Sequence, residues 1–376
     1  MKAPVWNTQR TAYLLITLTL GTYLLIVGKF ILVPLTFAAI LAVMLQPLCA
    51  FYDRLIPFKS ISILLAMLTI LIPIAGIISF FSIQLTEVFR NLTSITSNLK
   101  GSFDEIFQWL NDNFGVTKAD SYDWLKANFA KVVDAPLEFF KGGINTSTTA
   151  ILNLFLVLLF LFFFLLYRQG FHNFLLMQMK PSYRNKGQEL MHQIQWLIRH
   201  YLYGLFTVIL ILATLNSFGL WAIGLKHPIF WAVMAAFLSI IPYIGTTIGG
   251  LLPFLYAVAT ASAWWQPLAV VGLYFTVQQI EGNFITPYVV GSSVRINPFV
   301  AIVSIFVAGA IWGIAGIVLA LPITAIMKVI LDNIDMLKPL GLLMSDRLHK
   351  EGDRFLDELD EDRYRLSRFF KNEKDD

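Results

Sequence analysis

The sequence predicts an all-α polytopic membrane protein with about eight transmembrane segments, two of them Gly/Pro-broken and able to fold back as re-entrant hairpins. Composition is the first reason. Of 376 residues 57% are hydrophobic and 14% charged, and the mean hydropathy is +0.68, so there is too little charge to coat a water-soluble globule of this size. The second is periodic. Apolar runs of bilayer-spanning length alternate with short loops in which Lys and Arg collect, a pattern that reads as membrane topology. The third is the pair of long apolar segments Pro228 to Ala263 and Pro298 to Lys328, each interrupted by glycine and proline. A net charge of +4 over this length gives no reason to expect nucleic acid, and the single Cys49 rules out an internal disulfide.

Residues 1–83 are expected to hold three spans. Thr11 to Val27 follows Lys2 and Arg10, with no small-x-small cleavage site after it, so a retained helix is favoured over a signal peptide. Phe30 to Leu48 begins after only Gly28 and Lys29, which suggests a helical hairpin. Ile61 to Ile83 is the third span. Residues 84–149 form an expected soluble, extracytoplasmic helical insertion, and the stretch 84–143 carries six Lys/Arg and eight Asp/Glu. In it Leu85, Val88, Leu92, Ile95, Leu99 and Phe103 recur at helical spacing. That stripe either packs on its own second half or makes a homo-oligomer contact.

Residues 150–330 are expected to be the transport region. Ile151 to Tyr167 is a Leu/Phe-rich span with Asn153 its only polar side chain before Tyr167. A basic loop, 168–199, follows and is expected in the cytoplasm by the positive-inside rule, which also places the N-terminus inside. His172, His192 and His200 match no metal-ligand spacing and read as solvated or interfacial. Residues 331–376 form a charged tail, expected in the cytoplasm and partly disordered.

The two broken segments carry the functional expectation. An unpaired backbone group in lipid costs several kcal/mol, so broken helices persist only where protein or a watery cavity covers them, and a matched pair points to a transport site. Pro242, Tyr243, Gly245 and Pro253 mark the first break; Pro298, Gly313, Gly316 and Pro322 frame the second. Gly245/Gly249 and Gly309/Gly313 have the spacing that allows close helix approach, and close packing with no transport role is the plain alternative. Between the segments lies a polar island, Gln278 to Asn283, whose Glu281 is the only acidic side chain between Glu189 and Asp332. It reads either as a salt bridge to Arg295 or as a contact for substrate or coupling ion, assisted by Gln278, Gln279, Asn283 and Thr286. The exit route is expected where the broken segments meet Glu281.

Two topologies fit after Lys226 on the outside. Three ordinary spans leave Arg295 outside, whereas two re-entrant hairpins around one span near Pro267 to Thr286 place it inside. The mid-segment glycines and the positive-inside rule favour the hairpins.

These residues resemble the autoinducer-2 exporter family of bacterial permeases. Pro242-Tyr243-Ile244-Gly245 with Pro253, then Glu281-Gly282-Asn283, Pro287, Gly291 and Pro298, and finally Gly313, Gly316 and Pro322 carry the resemblance, which covers most of the chain. It implies a multi-pass inner-membrane secondary transporter that exports a small polar solute such as the quorum-sensing furanone, or a sodium/proton antiporter of the same family. Coupling to H+ or Na+, homo-oligomers and elevator-like movement are further implications. A passive channel is a weaker alternative. An enzyme is not expected: the chain lacks His-Glu-x-x-His, Gly-x-Ser-x-Gly, a cysteine pair and a phosphate-binding loop, and it calls for no cofactor or metal.

Overall fold

The computed structural model describes residues 8–90, 147–241, 244–261, 263, 265–289, 296–346 and 348. Most of the expected insertion, with its apolar stripe from Leu92 onward, lies outside these residues, as do Pro242, Tyr243, Arg295 and most of the charged tail.

The described elements are helical, joined by one isolated antiparallel bridge between Ile296 and Ser345. In chain order they are α1 (Thr8–Val27), α2 (Lys29–Asp53), α3 (Lys59–Arg90), α4 (Ser147–Leu166), α5 (Arg168–Met177) and α6 (Arg184–Ile223). Then come α7 (Pro228–Leu238), α8 (Ile244–Thr260), α9 (Trp265–Ile280), a π-helical turn (Glu281–Ile285) and α10 (Thr286–Val289). The last are α11 (Pro298–Trp312), α12 (Ile314–Asn333) and the short α13 (Lys338–Leu343). Four of the helical segments are long and apolar enough to cross a membrane, or five if the bent pair α4 and α5 counts as one span, and several shorter apolar helices join them.

Two features depart from the sequence reading, and a third adds what it could not supply. Gly28 keeps φ −78° and ψ 1°, and helical hydrogen bonds run both into and out of it, so α1 enters α2 through a kink, where a hairpin was expected. Most of 168–199 is helical, as α5 and the first part of the 40-residue α6, joined through a short 3-10 turn at Pro181–Tyr183; α5 buries no residue, and burial begins on α6, where Leu197 and Ile198 enter the core of unit 1. On α4, the Oδ1 of Asn153 is buried with no hydrogen-bond partner, so this helix does not turn every polar group to a neighbour.

The chain forms two compact units. Unit 1 comprises 1–66, 153–203 and 290–376; unit 2 comprises 67–152 and 204–289. The core of unit 1 gathers Ile40, Leu197, Ile198, Leu319 and Ala325 from α2, α6 and α12. The core of unit 2 gathers Leu220, Phe230, Trp231, Met234, Tyr256 and Val270 from α6 through α9, with Phe80 and Phe81 of α3 packed on it.

Each Gly/Pro-broken segment is a helical hairpin. In unit 2, a Cβ on Gly245 would overlap the carbonyl of Leu238, while one on Gly249 would lie 3.0 Å from the Cα of Ala235. Ascending numbers on α8 thus meet descending numbers on α7, which defines an antiparallel pair. In unit 1, Gly309 faces Ile317 and Gly316 meets the carbonyl of Ala308, so α11 and α12 are paired in the same way. The reversal passes through Gly313, whose φ of 63° with ψ −140° is open only to glycine at low cost. The chain reversal that the hairpin reading requires is thus present in each broken segment. At 11 residues, α7 is about 16 Å long, roughly half the hydrocarbon thickness.

Candidate functional site

Glu281 opens the π-helical turn at the end of α9. The Nε2 of Gln278, one turn earlier, donates to its Oε2 at 2.6 Å, and the hydroxyl of Thr286 donates to Oε1. Thr286 lies five residues on, one position too far for an α-helical turn. The π turn closes that gap, since the amide of Thr286 donates to the carbonyl of Glu281. Within the turn Asn283 Nδ2 donates to the carbonyl of Gln279 at 2.9 Å, a side chain on a helical acceptor. Insertions of this kind are frequent at functional sites. The carboxylate is half-buried, and both its described partners are neutral donors.

The predicted site residues fall into two groups. Gly245, Pro253, Gln278, Glu281, Asn283 and Pro287 belong to unit 2; Pro298, Gly313, Gly316 and Pro322 belong to unit 1. Gly245, Pro253, Gly316 and Pro322 are buried, whereas Pro287, Pro298 and Gly313 are exposed. Gly245 and Gly249 serve close approach within their own hairpin, as do Gly309 and Gly316 in the other. Asn297 holds the entry to α11: its Oδ1 accepts from the amide of Val300 at 2.8 Å, and its Nδ2 donates to the carbonyl of Leu343 at 2.7 Å.

Unit 2 also contains polar atoms that sequence reasoning missed. Trp231 Nε1, the Tyr274 hydroxyl, Gln84 Oε1 and Asn216 Oδ1 are all buried without a hydrogen-bond partner. Two of them touch one apolar cluster and two neighbour its residues in sequence. Trp231 is part of it and Tyr274 packs against it; Gln84 follows Phe80 and Phe81 by one turn, and Asn216 precedes Leu220 by one turn. Gly250 lets the ring of Tyr274 lie against α8, since a Cβ there would stand 3.3 Å from the ring. Each such group costs about 1–3 kcal/mol when nothing pairs with it. A single tryptophan or tyrosine in an apolar run gives no signal of this, because only the tertiary neighbours leave its polar end unpaired.

The AI-2E family transporter model matches residues 13–336. The chain belongs to the AI-2E transporter family. The chain is similar to the AI-2 transport protein TqsA of Escherichia coli K12, at 25% identity over 327 residues that cover 85% of this chain and 91% of TqsA. YueF of Bacillus subtilis 168 is 25% identical over 317 residues, 80% of this chain and 83% of YueF. A shorter match, 32% identical over 150 residues, aligns 40% of this chain with 42% of YrrI from the same Bacillus strain. The fold and family expectations from the sequence agree with these matches, and the chain is an all-helical membrane permease.

Proposed function

We propose that this AI-2E family permease is a secondary transporter, and not an enzyme, that exports a small polar molecule of the AI-2 furanone class from the cytoplasm. The observation behind this reading is the set of unpaired buried polar atoms in unit 2. Trp231 offers a donor, Gln84 and Asn216 offer acceptors, and Tyr274 offers either, a set that suits a hydroxyl-rich solute. Glu281 at the end of α9 is the coupling group, held by neutral donors that leave its charge free to meet H+ or Na+. Pro242 and Tyr243, at the sequence break between α7 and α8, are assigned to the same pathway. The protein lies in the inner membrane with both termini in the cytoplasm and works as a homo-oligomer.

A sodium/proton antiporter is the second reading, and Glu281 favours it, because an acid with no described cationic partner can exchange one cation for another. Full-length protein in proteoliposomes separates the two. Furanone efflux that saturates and follows a proton or sodium gradient supports the exporter; sodium-driven pH change with no furanone flux supports the antiporter. Glu281→Gln should keep the protein folded and lose the gradient dependence. Equal gradient-driven transport by wild type and Glu281→Gln would remove Glu281 from the mechanism.

A further inference from the structure

Unit 1 holds a polar cleft that the transport reading leaves unused. At Tyr167 the chain leaves α4 and turns by 67° into α5. The turn brings Arg168 and His172, one helical turn apart, against Gln46 of α2 and against Gln195 and Arg199, also one turn apart, on α6. The open cleft among them has a volume of about 410 Å³, enough for a small ligand.

Its charge is unbalanced. Arg199 is half-buried, and its guanidinium donates through Nη2 to Gln46 Oε1 at 2.6 Å and Gln195 Oε1 at 3.5 Å, and through Nε to the Val43 carbonyl at 3.2 Å. All three acceptors are neutral, and among the described residues no carboxylate pairs with Arg199. Arg168 gives Nη2 to Asp53 Oδ2 at 2.7 Å, which offsets its charge and leaves its other N–H groups unassigned. Two guanidiniums therefore face one carboxylate, and that carboxylate does not line the cleft. An imidazole, His172, stands beside them.

The residues choose the ligand class. A cleft without lining carboxylates and with excess positive charge repels metal cations. Guanidinium groups match the geometry of oxyanions through paired N–H donors, and basic pockets between membrane helices suit phosphate head groups. A phosphate has enough oxygens to engage two separated guanidiniums and a glutamine amide together. We propose that the cleft between α2, α5 and α6 is a binding site for a phosphate-class oxyanion, supplied either by free phosphate or by the phosphate of an anionic lipid. Filling it joins three helices of unit 1 and fixes the bend at Tyr167.

The test uses the full chain in detergent. Binding of radiolabelled inorganic phosphate is measured directly, and native mass spectrometry compares added phosphatidylglycerol with phosphatidylcholine. Gln46→Glu sets a carboxylate against Arg199 Nη2, so the fold should be kept or strengthened while affinity for the bound species falls at least about tenfold. Gln195→Glu, which creates a Glu–Arg pair one turn apart on α6, should do the same and serves if Gln46→Glu does not fold. Binding of free phosphate that both substitutions weaken identifies a soluble oxyanion; retention of phosphatidylglycerol alone, weakened likewise, identifies a head group. Binding of neither probe, or binding unchanged in a folded variant, overturns the proposal.

Discussion

Both α7 and α11 are apolar first arms that begin with proline and lead into a tight reversal, yet their surroundings differ. Phe230, Trp231, Ala232, Met234, Ala235 and Ala236 of α7 are buried, while α11 has no buried residue and exposes Phe299 and Phe306 at 75% each. Both reversals rest on close backbone contact, of Gly245 with Leu238 and of Gly316 with Ala308. One sequence signature thus produces an arm largely buried in its own unit and an arm whose outer face is left open among the described residues. Glycine and proline specify the reversal, and the side chains around it specify who covers it.

Truncating an aromatic ring on each arm separates these cases most strongly. Phe230→Ala should cost about 3–5 kcal/mol through the cavity it leaves. Phe299→Ala should stay within about 0.5 kcal/mol. Thermal unfolding of the full chain in detergent checks both. A large loss at Phe299 only under conditions that keep an oligomer would mean that another subunit covers α11.

Filling the two close contacts gives the next effect. Gly245→Ala forces the new methyl into a carbonyl of an arm packed on every side and should cost about 3 kcal/mol; Gly316→Ala presses on the exposed α11, which can shift, and should cost about 1 kcal/mol. Equal losses would show that α11 is held as firmly as α7. The smallest expected change has the opposite sign. Tyr274→Phe keeps the ring and removes a buried unpaired hydroxyl, so stability should rise by about 1 kcal/mol while the apparent KM for the exported solute rises several-fold. Lower stability with unchanged KM would show that the phenol hydroxyl is paired in the working protein and plays no part in binding.

The hairpins were legible in the sequence because their causes are local: Gly313 needs a positive φ, and Gly245 and Gly316 need the absence of a Cβ. The setting of Glu281 was legible in part. Gln278 and Thr286 could be named as neighbours, but the π turn that makes the fifth residue reachable is a backbone hydrogen-bond choice that residue spacing does not reveal. The bend at Tyr167 was not legible, since neither glycine nor proline marks it and the basic residues after it suggested a loop. The α1–α2 kink was misread because Gly28 and Lys29 look like a turn. The unpaired atoms of Gln84, Asn216, Trp231 and Tyr274 could not be found from spacing, because burial without a partner is a property of the assembled unit.

That kink leaves one further mark on unit 1. With the ladder interrupted near Gly28, the carbonyl of Leu25 accepts instead from Trp312 Nε1, at the tip of the α11–α12 hairpin, at 2.9 Å. The donor is 287 residues downstream. At a synthesis rate of about 5–20 residues per second, the acceptor is made roughly 15–60 s before its donor. During that time this carbonyl has no claim on it from the finished unit, and the arrival of Trp312 is among the late events that complete unit 1. A chain stopped before the second hairpin would therefore leave its first helix loose, and a nascent-chain ribosome complex stalled there should expose α1 to proteases that spare the finished protein.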